Sequence, residues 1–150
     1  MRIAVLLLAS LAVAHADDMG IVRKLSENKF TPTPGLPSCI PGAVQSGDPS
    51  KGPSVITFKA TAGCAVPWHW HTPTEQLMIV SGSAKLQMKS GRTATLGPGD
   101  FALMPSKHVH QFTCVSACTG FVHSDAAFDI HYVDASGKEI PPDTALKKKP

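Results

Sequence analysis

The sequence lacks the features that mark several common classes of binding protein. Aromatic residues make up 6% of its 150 residues, and 14 Lys and Arg nearly balance 11 Asp and Glu. The sequence therefore lacks the basic face with interleaved aromatic residues that is typical of nucleic-acid binding. One apolar run, residues 3–13, is too short to span a bilayer comfortably, and no second run follows it. No two cysteines have the Cys-x-x-Cys spacing of a zinc site. These absences argue against a nucleic-acid partner, a membrane-spanning protein and a cysteine-bound metal.

The first sixteen residues have the pattern of a secretory signal peptide. Arg2 gives a basic start, residues 3–13 form the apolar region, and Ala14-His15-Ala16 is a cleavage signal, which makes Asp17 the expected mature N-terminus. A retained N-terminal anchor is the alternative. The pattern predicts a secreted or periplasmic protein.

The four cysteines predict two disulfides, because an even count in an exported chain is typical of disulfide pairing. Cys114 and Cys118 flank a short turn, and in a hairpin their sulfurs would face each other. Cys39 with Cys64 would then tie the N-terminal segment to the domain. Pairing of Cys64 with Cys114 or Cys118 is the rival.

The rest of the chain is typical of an all-β domain. Residues 17–53 are rich in proline and glycine and predict an extended N-terminal arm that wraps the domain and adds an edge strand. Short strand patterns separated by Gly and Pro turns favour a barrel or sandwich over residues 54–135, followed by a C-terminal tail, 136–150. The predicted strands are 54–60, 75–80, 84–89, 93–96, 101–104, 109–114, 118–123 and 128–133, and a helical turn is expected at 142–146.

Two histidines and a glutamate stand in a pattern that suits a metal site. His69 and His71 are two residues apart, so in a strand their side chains share a face, with Cα atoms about 6.5–7 Å apart. A chain reversal at residues 72–74 would return Glu75 beside them as a third ligand. The segment therefore predicts a metal site.

This segment resembles the cupin superfamily, in particular its small, single-domain, secreted type-2 members. The first cupin motif is Gly, five residues, His-x-His, three or four residues, Glu, six residues, Gly, and it is matched by Gly63, His69, His71, Glu75 and Gly82. The second motif is Gly, five residues, Pro-x-Gly, two residues, His, three residues, Asn, and it is matched by Gly99, Pro105 and His110.

Two positions depart from the second motif. Lys107 stands where the second glycine is usual, which predicts a turn that avoids a positive φ. Cys114 stands where the asparagine is usual, which fits the disulfide prediction and touches no ligand.

The resemblance implies a double-stranded β-helix, or jelly-roll barrel, with a metal ion inside it and a tendency to form homodimers. It gives the ligand set as His69, His71, Glu75 and His110. The alternative is a set of hydrogen-bonded core histidines. Four polar groups converging in an apolar barrel would cost several kcal/mol if left unpaired, and a metal removes that cost.

Two residues are candidate catalytic groups. Glu75 could leave the metal and accept a proton. His108 is expected at the cavity rim as a proton-transfer residue, or else in an exposed loop. Trp68 and Trp70 alternate with the histidines and are expected on the opposite side of the strand, packed under the arm or a dimer partner, or exposed as a platform for a sugar chain.

Three imidazoles and one carboxylate suit a divalent transition metal and disfavour calcium or magnesium. An exported chain without a twin-arginine signal is expected to meet its metal outside the cytoplasm, where raw affinity favours copper or zinc, with manganese and iron also open.

These features predict an exported mononuclear metalloenzyme of oxidoreductase or dioxygenase type that acts on a small organic or sugar-derived substrate. A second hypothesis is a non-catalytic metal-binding or sugar-binding module. An open, polar channel to the ion would favour catalysis, and a mouth closed by Phe112 would favour a structural ion.

Overall fold

A computed structural model of the protein describes residues 20–147, which form two antiparallel β-sheets of five strands each. The predicted signal peptide lies outside the described residues. A 3₁₀ helix at Leu25–Glu27 and a short helix α1 at Pro142–Ala145 complete the described elements, and neither is long or apolar enough to cross a membrane. The strands are β1 Gly42–Gly47, β2 Ser54–Ala60, β3 Ala65–Trp70, β4 Glu75–Ser81, β5 Ala84–Met88, β6 Thr93–Leu96, β7 Phe101–Met104, β8 His110–Cys114, β9 Cys118–Ser124 and β10 His131–Tyr132.

The two sheets have the arrangement of a jelly roll, which confirms the predicted all-β barrel. The first sheet has the strand order β1-β2-β9-β4-β7, and the second has the order β10-β3-β8-β5-β6. Sequence neighbours β3 and β4, and likewise β8 and β9, lie in different sheets. The chain therefore crosses from one sheet to the other at several turns, and the inner faces of both sheets form one core.

The alternation of β4 shows how the sequence builds this core. Leu77 and Ile79 are 3% and 2% exposed, whereas Val80 is 47% exposed. Side chains two apart share a face of a strand, so the first pair points into the barrel and Val80 points away from it. In the same core, Phe58 of β2 and Phe112 of β8 pack edge to face with ring centroids 5.8 Å apart. Each large apolar side chain buried in this way contributes about 1.5–3 kcal/mol.

The N-terminal arm adds the predicted edge strand, β1, and its preceding residues lie along the barrel. A disulfide joins Cys39 to Cys64, directly before β3. The hydroxyl of Tyr132 donates a hydrogen bond to the carbonyl of Gly35 at 2.8 Å. The arm is therefore fixed to the second sheet covalently and by a buried side chain.

The second disulfide joins Cys114 to Cys118, so the favoured pairing of all four cysteines is confirmed. The segment between these two cysteines does not join a hairpin. Strand β8 pairs with β3 and β5, and β9 pairs with β2 and β4, so the link closes a corner between the sheets. The predicted strand 128–133 is also too long, since only His131–Tyr132 pair with β3.

Candidate metal centre

Four polar side chains from three strands and one turn meet inside the barrel. His69 lies on β3 directly opposite His110 of β8, His71 follows the end of β3, and Glu75 begins β4. Their exposed fractions are only 3%, 2%, 3% and 8%. One nitrogen or oxygen from each lies within 4.8 Å of those from the other three. The structure thus brings together the full set of predicted ligands.

The turn between β3 and β4 is held by two aspartates. The backbone N–H of Thr72 donates to Oδ1 of Asp129 at 2.7 Å, and that of Thr74 donates to Oδ1 of Asp125 at 2.9 Å. These bonds fix the reversal of the chain. Glu75 consequently returns to the histidines, as the spacing predicted.

Each of the three histidines donates its Nδ1–H to a backbone carbonyl. His69 donates to Pro67 at 2.6 Å, His110 donates to His108 at 2.8 Å, and His71 donates to Asp129. A carbonyl can only accept, so Nδ1 carries the hydrogen in each ring. In the neutral rings the three Nε2 atoms are then free of hydrogen, and their lone pairs are available to a cation.

Glu75 faces two of these nitrogens without a hydrogen bond between them. Its Oε2 lies 3.1 Å from Nε2 of His71 and 3.2 Å from Nε2 of His110, yet this buried oxygen receives no hydrogen bond. Lone pairs facing one another at these distances repel, and a buried polar atom without a partner costs about 1–3 kcal/mol. A cation among the four atoms would remove both penalties.

The electrostatics of the group also suit a cation. Burial lowers the pKa of His69 well below its usual value, and neighbouring His110 and His71 add to the effect. Burial would raise the pKa of Glu75, but His71 and His110 outweigh it and hold the pKa well below its usual range. The site therefore keeps an anionic carboxylate beside a neutral imidazole, which is the protonation that metal ligands require.

Sequence reasoning missed Asp129, which supports His71 in two ways. Its carbonyl accepts the Nδ1–H of His71, and its side chain accepts the Thr72 N–H and lies 3.2 Å from Nε2 of His131. A backbone carbonyl has no signature in the sequence. The only available signal was an acidic residue within the segment predicted as a strand.

The turn that precedes His110 corrects one prediction. Lys107 has a φ of 61°, so the expectation that this turn avoids a positive φ is wrong. The His108 N–H bonds to the Pro105 carbonyl, and the Lys107 N–H bonds to the His71 carbonyl, both at 2.8–2.9 Å. Together these bonds hold a lysine in a conformation that favours glycine, at a cost of about 1–2 kcal/mol.

His108 contributes its backbone carbonyl to His110, but its side chain is not among the described residues that line the cavity. Its predicted role in proton transfer therefore stays a prediction.

A cavity of about 70 Å³ adjoins the four ligands. Most of its walls are apolar, and they include Leu36 and Ile40 of the arm as well as Phe58, Phe112 and Phe128. Phe112 is part of this lining and is 7% exposed. The cavity thus reaches the ligands without the polar channel that the catalytic hypothesis expected.

The two tryptophans are both half-buried. Trp70 stacks on His131 with ring centroids 3.9 Å apart and planes 4° apart, and the ammonium of Lys107 lies 5.8 Å from the Trp70 ring centroid. One face of this indole is thus covered by the protein's own imidazole. The arrangement leaves less room for a sugar platform.

Comparison with known proteins finds a matching family model. Residues 57–121 match the family model described as "Cupin domain". No curated protein matches the sequence.

Solved structures with a similar fold include several enzymes. The polyketide cyclase RemF from Streptomyces resistomycificus is 20% identical, with a TM-score of 0.66 over 85% of this chain and 99% of that chain. KdgF from Halomonas sp. is 16% identical, with a TM-score of 0.59 over 73% and 94%. A salicylate 1,2-dioxygenase variant from Pseudoaminobacter salicylatoxidans, in complex with gentisate, is 17% identical, with a TM-score of 0.53 over 60% and 26%. At these identities the likeness is one of fold.

Proposed function

We propose that this chain, whose residues 57–121 match the cupin domain model, is an exported mononuclear metalloenzyme of oxidoreductase or dioxygenase type that acts on a small organic substrate. The metal ligands are His69, His71, Glu75 and His110. The single observation that carries the proposal is the shared orientation of the three imidazoles. Every Nδ1–H is given to a backbone carbonyl, which leaves three Nε2 lone pairs and an unpartnered carboxylate oxygen in one buried space.

The donor set supports a transition metal. Imidazole nitrogens with one carboxylate suit manganese, iron, cobalt, nickel, copper and zinc. We propose copper or zinc in preference to manganese or iron, because the divalent affinity series favours them where a chain acquires its metal outside the cytoplasm. A metal held by these ligands would supply Lewis acidity or redox chemistry to a substrate oxygen.

The chain's own residues would contribute in two further ways. Glu75 is the group placed to accept a proton, since it is the ionised carboxylate among the ligands. The apolar walls of the cavity exclude water, which strengthens electrostatic interactions at the ligands.

The two disulfides support an oxidising compartment, in agreement with the predicted signal peptide. Export is therefore part of the proposal. N-terminal sequencing of protein from the native host, expected to begin at Asp17, tests it.

A homodimer is supported by the outer face of the first sheet. Phe101 and Leu103 of the edge strand β7 are 54% and 46% exposed, next to Val80 of β4 at 47%. An exposed apolar edge strand favours pairing with another chain. Light scattering on the native protein and on Phe101→Glu tests the dimer, which the charged variant should dissociate.

Elemental analysis of protein purified from its native compartment tests the metal. We expect one copper or zinc ion per chain, and its loss in His110→Ala. Detection of manganese or iron alone would contradict the proposed identity, and no bound transition metal would contradict the site. An oxygen-consumption screen with the loaded protein then tests the reaction type.

A non-catalytic module with a structural ion is the second candidate, and the apolar lining of the cavity, which includes Phe112 and offers no polar channel, favours it. His110→Ala separates the two functions. A variant that loses its metal and keeps its melting temperature would contradict a structural role for the ion.

A further inference from the structure

The cavity beside the ligands offers very few polar partners. Among the described residues that line it, no Lys or Arg is present, Glu75 is the only acid, and Thr33 has the only hydroxyl. The three histidines already give their Nδ1–H groups to backbone carbonyls. With the four ligands on a cation, Thr33 is the one lining side chain left to hydrogen-bond a bound molecule.

This inventory excludes whole classes of ligand. A sugar brings several hydroxyl groups, and each one buried without a partner is expected to weaken binding about tenfold or more. A dicarboxylate or phosphate would place a second negative charge in an apolar space. The ammonium groups of Lys59 and Lys107 lie over the rings of Phe30 and Trp70, and neither lysine lines the cavity.

The walls and the size favour a small apolar molecule. Phe58 and Phe112, packed edge to face, give an aromatic wall, and Leu77 and Val122 line the cavity beside them. The volume of about 70 Å³ is small for a ligand cavity, since pockets for drug-sized molecules measure about 300–1,000 Å³. A long or highly polar ligand would not fit this space.

The arm forms part of these walls. Leu36 and Ile40 line the cavity, and the disulfide from Cys39 to Cys64 fixes the segment between them to the start of β3. Because Leu36 and Ile40 precede all ten described strands in the chain, the side chains at these positions determine the cavity size without altering the strands that carry the ligands.

We propose that this cavity binds a short molecule with one oxygen-bearing group directed at the four ligands and an apolar remainder enclosed by the arm and the inner sheet faces. Sugars, phosphates and dicarboxylates are excluded. The inference rests on the proposed metal site and names its substrate class.

Three hydroxamic acids test the inference in protein loaded with its native metal. They share one metal-binding group: acetohydroxamic acid, butyrohydroxamic acid and the monohydroxamic acid of succinate, whose chain ends in a carboxylate. Isothermal titration should give butyrohydroxamic acid about tenfold tighter than acetohydroxamic acid, from two buried methylene groups. The succinate derivative should bind at least tenfold more weakly than acetohydroxamic acid.

The outcomes separate this inference from the proposed function. If the purified protein carries no metal, the proposed metal site and the inference are both contradicted. If it carries one ion per chain and the succinate derivative binds as tightly as butyrohydroxamic acid, only the inference is overturned.

A variant of the arm tests the wall directly. Leu36→Asn should lower the affinity for butyrohydroxamic acid about fivefold or more, because it places an amide against the apolar chain. Leu25→Asn is the matched control, since Leu25 is 46% exposed and lies outside the cavity, and its affinity should match the wild type. Unchanged binding in Leu36→Asn would overturn the inference.

Val122→Thr gives an independent test that does not depend on the folding of Leu36→Asn. It keeps the shape of a side chain that lines the cavity, so circular dichroism and metal content should stay at wild-type values. Its affinity for butyrohydroxamic acid should fall about threefold. Affinity equal to that of the wild type would likewise count against apolar recognition.

Discussion

Replacing Glu75 by Gln removes a charge from the ligand group and keeps the shape of the side chain. In the wild type, Oε2 lies 3.1 Å from Nε2 of His71 and 3.2 Å from Nε2 of His110 and receives no hydrogen bond. A glutamine amide at the same place can donate a hydrogen to each nitrogen. Without metal, the variant should therefore be more stable than the wild type.

The magnitude follows from the same contacts. Removing one buried unpartnered oxygen is worth about 1–3 kcal/mol, and each new neutral hydrogen bond contributes about 0.5–1.5 kcal/mol. Allowing for the imperfect fit of one amide to two nitrogens, we expect the free energy of unfolding to rise by about 2 kcal/mol. For a domain of this size, that corresponds to an increase of about 5–10 °C in Tm. Thermal and urea unfolding at pH 9 in the presence of a chelator measure it.

The choice of pH matters because of His71. Burial lowers the pKa of His71, but the Glu75 carboxylate outweighs burial and raises it. A protonated His71 donates to Glu75, and this stabilisation is present at low pH and is lost as the pH rises through the raised pKa. The advantage of the variant should therefore grow as the pH rises from 6 to 9.

Adding the native metal should reverse the order of stability. A neutral amide is a poor ligand, and at a fixed excess of metal each hundredfold loss of affinity removes about 2.7 kcal/mol of stabilisation. Glu139→Gln is the matched control, because Glu139 also lies near a histidine, 3.4 Å from His131, but is exposed. It should change stability by less than about 0.5 kcal/mol. A Glu75→Gln variant that is less stable than the wild type at pH 9 both with and without metal would refute the reasoning.

Three further variants test other parts of the structure. Asp129→Ala should weaken metal binding about 10–100-fold in a competition titration with a chromogenic chelator, because the carbonyl that orients His71 loses its side-chain anchor; unchanged affinity would contradict this role. Lys107→Gly should raise the free energy of unfolding by about 0.5–1 kcal/mol in urea, since it relieves the positive φ; a loss of stability would show that the lysine is not strained. Changing Cys39 and Cys64 together to Ser should lower the free energy of unfolding by about 3–4 kcal/mol for a loop of 25 residues; equal stability would show that the link does not hold the native arm.

The sequence predicted the ligand group because the motif encodes side chains at fixed spacings on strands. His69 and His71 share a face by the alternation of a strand, and β3 and β8 must pair for His110 to join them. The alternation of Leu77, Ile79 and Val80 was equally readable, since one face of β4 is buried. An apolar residue at every second position can be recognised in the sequence because the buried face of a strand requires it.

Other features depend on contacts that leave no local pattern. The carbonyl of Asp129 orients His71 from 58 positions along the chain, and any residue type has such a carbonyl. Two backbone hydrogen bonds impose the positive φ of Lys107 against its own preference. The alternating residues at 128–133 resemble a strand, but only His131 and Tyr132 form a ladder with β3.

The bond from Cys39 to Cys64 has a consequence for anyone who prepares this protein. It joins a wall of the cavity to the strand that carries the ligand His69. In a reducing bacterial cytosol both sheets can still form, because their ladders do not involve the thiols. Such a preparation is expected to give an ordinary β-rich spectrum although the segment that forms one wall of the pocket is no longer fixed to β3. Thiol titration should therefore come before any substrate screen.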